Sequence, residues 1–226
     1  MNSDKELMNH HINVLFKHDS KDRITVVNEP PYDPAPKVFI GTTKEGSVVK
    51  YADTLPVSFI IELEKILQKS SSIDLAEIIK IFQQGYELNQ LWTGPAYVFP
   101  DKINKSSYPQ IVQITHENKD ILKSQFPYTF EDFECKQPCF VIMEGNVIAS
   151  ICCSARQSVK ADEASLFTKE AYRSKGYGAA VTKAWAQEVQ RQGRMALYST
   201  SWDNLASQSV AGRLNLYLYG TDIHIS

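Results

Sequence analysis

The chain has 226 residues, of which 43% are hydrophobic and 22% charged, and its formal net charge at pH 7 is -2. This length and composition are typical of a globular protein with one domain, or with one domain and a smaller lobe. The near-neutral charge gives no overall attraction to nucleic acid or to an anionic membrane, so we expect neither as a partner.

The N-terminal residues 1–6 lack the basic and then apolar pattern of a signal peptide. No apolar run approaches the roughly 20 residues that cross a bilayer, so we expect a cytoplasmic protein. In a reducing compartment, cysteines are most often buried as small apolar side chains. We expect this of Cys135, Cys139, Cys152 and Cys153, whose spacing does not match a standard zinc site, and we predict no metal.

Residues 1–50 carry little regular pattern. His10, His11 and His18 lie among Asn, Lys and Asp residues, which favours solvated histidines over metal ligands. Prolines between Asn28 and Pro36 predict an extended connection, because proline fixes φ and removes a backbone donor. A short hairpin is predicted after it, with strands at 38–40 and 47–51.

Two amphipathic helices are predicted next, over 56–69 and from about 72 to Gly85. Their apolar residues recur at three- and four-residue spacing, which indicates packing against a core rather than a cofactor site. The pattern changes near residues 92–95. We therefore predict an N-terminal lobe over 1–95 and a second domain over 96–226.

The second domain alternates between strand and helix patterns. Strands are predicted at 97–99, 111–114, 139–143, 147–154, 163–168 and 195–199, with a last pair within 214–225. Helices are predicted at 117–124, from about 179 to 192, and at 204–213. An aromatic-rich connection at 126–133 is either a lid on the core or the wall of a pocket.

A basic turn containing two glycines, Arg173 to Gly178, links the strand at 163–168 to the long helix. Glycine lets the backbone approach a ligand closely, and the first N–H groups of a helix attract phosphate oxygens. Such a turn is able to hold a pyrophosphate, although ordinary connections have the same pattern. The spacing excludes a P-loop, because Gly176 and Gly178 are too close together and no Lys-Ser/Thr pair begins the helix.

Three segments at this spacing are similar to those of a known family: Glu163 to Thr168, Tyr172 to Gly178 and Tyr198 to Ser207. Together with the element order they resemble the GNAT N-acetyltransferase superfamily over about 96–226, most closely from Ala161 onward. The resemblance implies an α+β fold with a central, mostly antiparallel sheet flanked by helices, here with a smaller helical lobe at the N-terminus. It also implies acetyl-CoA as the cosubstrate.

The resemblance further implies how acetyl-CoA is bound. A strand that splays at a bulge offers backbone groups to the pantetheine arm, and the amides of the basic turn hold the pyrophosphate. Asn204 matches a position whose side-chain amide faces the pantetheine arm, and the same residue fits a helix N-cap. The implied cofactor-binding residues are Leu166, Phe167, Thr168, Arg173, Ser174, Lys175, Gly176, Tyr177, Gly178, Ala179, Asn204 and Ser207.

The resemblance also implies a carboxylate base at Asp162 or Glu163, which point to opposite faces of a strand. We prefer Glu163 as the catalytic base. Its alternative role is that of an edge carboxylate paired with a lysine or an arginine. His116 and His224 are lesser candidates.

The general acid departs from the family pattern. Many members have a tyrosine seven residues after the asparagine, and this chain has Ala211 there. The acid must therefore come from elsewhere, and we name Tyr198 as the catalytic candidate beside Tyr217, Tyr219 and solvent.

The predicted function is direct transfer of an acetyl group to a primary amine of a small molecule, without a covalent acyl-enzyme. Amino acids, antibiotics and protein amines stay open as acceptors, and a homodimer stays an option. The alternative is a non-catalytic CoA-binding sensor or interaction module, which the absence of a tyrosine at position 211 favours. A CoA-binding assay and an amine screen distinguish the two.

Overall fold

The computed structural model describes residues 2–69, 73–103 and 111–226. The helices are α1 (Asp4–Leu15), α2 (Val57–Lys69), α3 (Leu75–Gly85), α4 (Pro127–Glu131), α5 (Tyr177–Arg191) and α6 (Leu205–Arg213). The strands are β1 (Phe16–His18), β2 (Ile24–Val27), β3 (Val38–Thr43), β4 (Gly46–Tyr51), β5 (Leu91–Val98), β6 (Ile111–Ile114), β7 (Cys139–Glu144), β8 (Val147–Gln157), β9 (Ala161–Thr168), β10 (Met195–Ser199) and β11 (Tyr217–Ile225). Across these ranges no helix combines the length and the apolar character that a membrane span needs.

A nine-stranded sheet with the order β4-β3-β11-β5-β10-β9-β8-β7-β6 forms the centre of the described chain. The pairs are antiparallel except for β9 and β10, which run parallel. β1 and β2 form a separate small pair. This architecture confirms the predicted α+β fold with a mostly antiparallel sheet.

The parallel pair β9 and β10 separates partway along its length. The two strands are in register at Ala161, Asp162 and Glu163 opposite Met195, Ala196 and Leu197. Beyond this point β9 continues to pair with β8 as far as Thr168, and β10 continues with β5 as far as Ser199. A V-shaped opening in the sheet results, with Glu163 and Leu197 at its vertex.

Helices cover the two faces of the sheet near this opening. On one face α5 buries Trp185 in a cluster that includes Tyr198 of β10. On the other face α1 buries Met8 and Ile12 in a cluster that includes Leu197. Because consecutive strand residues point to opposite faces, Leu197 and Tyr198 fix which helix covers which side.

The helix α1 is absent from the sequence-based expectations, although a signal for it exists. Ser3 accepts a hydrogen bond from the Glu6 N–H, and the Glu6 side chain accepts one from the Ser3 N–H. This capping box is a recognisable start of a helix. Leu7, Ile12 and Leu15 then follow at spacings that bury one face.

The N-terminal hairpin, β3 and β4, belongs to the main sheet because β3 pairs with β11. α2 and α3 pack beside it through Phe59 and Phe82, whose ring centroids lie 5.1 Å apart. The proposed boundary near residue 95 falls inside β5, and the division into an N-terminal lobe over 1–95 and a second domain over 96–226 stays a prediction. The predicted last pair of strands is wrong, since one strand, β11, spans that region with an irregularity between Leu218 and Gly220.

Candidate functional site

A cavity of about 480 Å³, which we call the first cavity, opens between β9, the basic turn and α6. Its lining residues are Leu166, Phe167, Thr168, Tyr172, Arg173, Ser174, Gly176, Tyr177, Gly178, Ala179, Tyr198, Asn204, Ala206, Ser207, Ser209, Val210 and Arg213. The residues expected to bind the cofactor thus lie together, apart from Lys175, which is outside this lining set. Arg213 and Tyr172 are lining residues that the sequence analysis missed.

The basic turn is shaped by two residues in the left-handed region. Ser174 has φ 64° and Gly176, the N-cap of α5, has φ 82°. This geometry directs the first turn of α5 into the cavity, where the N–H groups of Gly178 and Ala179 have no acceptor within the helix. An added Cβ at Gly178 would lie 3.2 Å from Thr168 Oγ1, so glycine keeps the wall open. With Arg173 and Arg213 alongside, the cavity suits a phosphate-bearing ligand.

Asn204 begins α6 as its N-cap. Its side-chain oxygen accepts a hydrogen bond of 3.1 Å from the Ser207 N–H, which leaves the amide nitrogen as a donor. The hydroxyl oxygens of Tyr198 and Ser207 lie 2.5 Å apart. Burial raises the pKa of Tyr198 to about 12, so this phenol keeps its proton at neutral pH.

A cavity of about 390 Å³, which we call the second cavity, lies on the other side of the sheet. Tyr198 lines the first cavity and Ser199 the second, and consecutive strand residues point to opposite faces. The lining residues are Leu15, Phe16, Val27, Asp33, Pro34, Pro36, Gln90, Trp92, Arg156, Ser199, His224 and Ser226. Among these residues, only His224 was a candidate catalytic residue from the sequence, and no sequence pattern indicated the cavity.

Glu163 lies at the vertex of the strand opening and is 3% exposed. Its Oε1 accepts hydrogen bonds of 2.7 Å from both the N–H and the hydroxyl of Ser199. Its Oε2 is buried and has no hydrogen-bond partner among the residues that the structure describes. Burial raises the pKa of Glu163, against the nearby charge of His11 and the hydrogen bonds from Ser199. Glu163 is therefore connected to the second cavity through Ser199.

His11 is buried beside Glu163, so the prediction of a solvated His11 is wrong. The reason is α1, which carries the residue onto the sheet. His11 Nε2 lies 3.1 Å from Asp222 Oδ2, and His11 Nδ1 lies 2.8 Å from the Tyr219 hydroxyl and 3.8 Å from Glu163 Oε2. His224 Nε2 also lies 3.1 Å from Asp222 Oδ2.

Charge pairing fixes the protonation states of this buried group. Burial opposes ionisation of Asp222, but hydrogen bonds from His11 and His224 outweigh it and lower its pKa to about 2. Burial likewise opposes protonation of His11, but the hydrogen bond and charge of Asp222 and the charge of Glu163 raise the His11 pKa. Below this raised pKa, His11 and Asp222 form a buried ion pair directly behind Glu163.

The other candidate bases lie elsewhere. Asp162 forms an ion pair with Arg194 at 2.5 Å and accepts a hydrogen bond from Ser154. His116 is exposed and lies 3.6 Å from Glu134, and neither residue lines a cavity described above.

The alternatives to Tyr198 as an acid are engaged in other contacts. The Tyr217 hydroxyl donates to Asp4 at 3.0 Å, and Tyr219 is buried against His11. Ala211 is buried in the core beside α5. Of the cysteines, Cys139, Cys152 and Cys153 are buried as expected and Cys135 is exposed.

Comparison with known proteins agrees with this geometry. A family model described as GNAT acetyltransferase matches residues 64–219, and no curated protein matches the sequence. Among solved structures, a GCN5-related N-acetyltransferase from Sphaerobacter thermophilus has 11% identity and a TM-score of 0.53 over 89% of this chain and 79% of its own. A GCN5-related N-acetyltransferase-like protein from Streptococcus suis has 13% identity and a TM-score of 0.52 over 85% of each chain.

A GNAT-family protein from Novosphingobium aromaticivorans has 11% identity and a TM-score of 0.53. The match covers 62% of this chain and 65% of that one. At such low sequence identities, these structures show only that the fold is shared. The family match confirms the resemblance found in the sequence.

Proposed function

The chain belongs to the GNAT acetyltransferase family, and we propose that it is an acetyl-CoA-dependent N-acetyltransferase that acts directly on a primary amine of a small molecule. One observation carries the proposal. Two cavities on opposite faces of the sheet approach each other at the β9/β10 opening, with Tyr198 on one side and Ser199 with Glu163 on the other. Such an arrangement brings two substrates together from opposite sides.

The first cavity has the features that acetyl-CoA requires. Its helix N-terminus, Arg173 and Arg213 suit the phosphates, and the unpaired edge of β9 beyond Glu163 suits the amide-bearing pantetheine arm. Asn204 offers an amide N–H toward the same cavity. When bound, acetyl-CoA supplies a thioester carbon that an amine is able to attack.

The second cavity suits a compact amine. Its lining is mixed: Phe16, Trp92 and Pro34 belong to an apolar part, and Asp33, Arg156 and His224 to a polar part. Ser199 and the buried Glu163 lie where the cavity meets the strand opening. This combination suits a small amine whose apolar or aromatic body packs on Phe16 and Trp92 while its amino group meets the polar part of the lining.

The proposed proton transfers use groups on the two sides of the opening. Glu163 accepts the proton that the acceptor amine must lose before attack, and Tyr198 donates a proton to the departing thiolate. Tyr198 carries its proton at neutral pH, as any phenol does, and its contact with Ser207 fixes the position of the hydroxyl. Tyr198 thus takes the acid role that Ala211 leaves open.

Calorimetric titration with acetyl-CoA, followed by a screen of primary amines monitored by release of free CoA thiol, tests the proposal. We expect acetyl-CoA binding, and amine-dependent thiol release together with an acetylated product in mass spectra. A chain without affinity for acetyl-CoA or CoA would contradict the proposal.

Binding without turnover over a wide amine panel would instead support the alternative function, a CoA-binding sensor. The observation that favours this alternative is Ala211 at the place of the family tyrosine. A cytoplasmic location and a homodimer stay predictions.

A further inference from the structure

A chain of contacts starts and ends in the second cavity. It runs from the Ser199 hydroxyl to Glu163, from Glu163 to His11, from His11 to Asp222 and from Asp222 to His224, which lines the cavity again. The middle three side chains are 0 to 4% exposed. The two ends are the groups that a ligand in the second cavity is able to touch.

We propose that Ser199 is a catalytic residue that carries the acceptor's proton to Glu163, and that His11 is a positioning residue whose positive charge keeps Glu163 able to accept it. The inference rests on the proposed function. It adds a proton relay through Ser199, which the family resemblance does not imply, and it gives α1 a role in the site through His11.

The relay is needed because the Glu163 carboxylate does not line the second cavity, whereas Ser199 does. The ammonium nitrogen of the acceptor gives one proton to Ser199 Oγ while Ser199 Oγ gives its own proton to Glu163 Oε1 over 2.7 Å. The nitrogen keeps the electron pair of the broken N–H bond and becomes the nucleophile. Charge balances, since an ammonium and a carboxylate become an amine and a carboxylic acid.

The charges around Glu163 come from every element that packs on it. α1 contributes His11, β8 contributes Arg156, which is the cross-strand partner of Glu163, and β11 contributes Asp222 and Tyr219. β10 contributes Ser199 and Tyr198 as neutral groups.

Within this set, Arg156 already pairs with Glu29 at 3.0 Å. His11 is the fully buried cation, held in its charged form by Asp222. Loss of the His11 charge should therefore make Glu163 harder to ionise.

The first arm of the test replaces His11 by Gln, which removes the charge and keeps an N–H donor for Asp222. We expect the acidic limb of the kcat/KM profile to move to higher pH, with about a tenfold loss on the acidic side and a smaller loss on the plateau. The matched control is His10→Gln, the neighbouring and partly exposed histidine of α1, whose profile should follow the wild type. An unmoved acidic limb in His11→Gln overturns the role of His11.

The second arm needs no turnover and so separates failure of the inference from failure of the proposed function. The side-chain carboxyl carbon of Glu163, assigned by its absence in Glu163→Gln, is followed by ¹³C NMR through a pH titration. Its midpoint should move to higher pH in His11→Gln and not in His10→Gln. Should His11→Gln fail to fold, the His11 ring is titrated instead, and its midpoint should fall in Glu163→Gln. An unchanged midpoint in either measurement overturns the inference, whatever the activity screen gives.

The third arm tests the hydroxyl of Ser199. Ser199→Ala removes the relay but keeps the Ser199 backbone N–H on Glu163, and we expect a loss of about 10²-fold or more in kcat. Ser199→Thr restores a hydroxyl at the same place and should recover most of the rate. Equal rates for the alanine variant and the wild type overturn the relay, and so does a threonine variant as slow as the alanine one while acetyl-CoA binding is intact.

Discussion

The two cavities differ in how the chain builds them. The first cavity takes its lining from 166–179 and 198–213, where a strand, a turn and two helices follow one another. The second takes single residues from the end of α1, from β2, from the Pro34 loop and from the ends of β5, β8, β10 and β11. A motif of neighbouring residues is able to encode the first cavity, whereas the second exists only after the sheet has formed.

The cavities also differ in chemistry. Around the first cavity, two arginines and a helix N-terminus supply positive charge toward solvent. Behind the second, Asp222, His11 and Glu163 form a set of titratable groups that are buried in the interior. We therefore expect substitutions in the first cavity to change the Kd for acetyl-CoA and those in the second cavity to change the KM for the amine, each without altering the other value.

The largest expected effect is that of Glu163→Gln. Glutamine keeps the size of the side chain and still accepts from Ser199, but it cannot take a proton, so kcat should fall by about 10²- to 10⁴-fold. The Kd for acetyl-CoA, measured by calorimetry, should stay within about twofold because Glu163 does not line the first cavity. A loss of acetyl-CoA affinity in Glu163→Gln would contradict the view that the two cavities bind their substrates independently.

Trp92→Ala should give the next largest effect. Trp92 lines the second cavity and packs on His224 with a centroid distance of 4.7 Å. Removal of this aromatic wall should raise the KM of an apolar amine by about 10-fold or more, in line with the roughly 2 kcal/mol that such a side chain contributes when buried. Steady-state kinetics at saturating acetyl-CoA give the value. An unchanged KM for the best amine would remove Trp92 from the acceptor site.

Arg213→Ala is the matching change in the first cavity. Loss of one cationic contact should raise the Kd for acetyl-CoA by about 5- to 10-fold and leave the amine KM unaltered. Added salt should narrow the difference between the variant and the wild type, because screening weakens the contact in the wild type. Calorimetry at two ionic strengths measures both effects. A Kd equal to that of the wild type at low salt would place the phosphates away from Arg213.

The division between the cavities explains what the sequence was able to predict. The segment from Glu163 to Ser207 holds strand, turn and helix signals in order. The cofactor-binding residues expected within it line the first cavity together, with Lys175 outside the lining set. The helix α1 was not predicted, because the capping box at Ser3 lies among polar residues and was not recognised. Without α1, the burial of His11 could not be predicted, because its partner Asp222 lies 211 positions further along the chain.

Long-range pairing accounts for the remaining errors in the same way. Asp222 and His224 look like isolated polar residues in a strand, and only the neighbouring α1 and β10 give them partners. The single strand β11 also depends on its neighbours, since β3 and β5 pair with it on both sides. The sequence alone therefore led to a prediction of two strands within 214–225, where the sheet holds one.

The smallest expected effect is a pH dependence of stability that comes from the buried pair behind the second cavity. The folded chain raises the pKa of His11 above its usual value of 6.5. His11 therefore contributes stability that is fully present below about pH 6.5 and is lost as the pH rises through the folded pKa. The difference in unfolding free energy between the wild type and His11→Gln should therefore narrow as the pH rises from about 6.5 through the folded-state pKa of His11.

Urea unfolding of the two proteins at a series of pH values from 6 upward measures this narrowing. Each unit of pKa shift corresponds to about 1.4 kcal/mol, so the total change in the gap gives the size of the shift. His10→Gln should keep a constant gap to the wild type, because His10 lies partly exposed on the same helix. A gap for His11→Gln that stays constant, or that widens with pH, would mean that folding does not raise the His11 pKa. Asp222 and Glu163 would then not hold a proton on His11, and the positive charge proposed behind Glu163 would be absent.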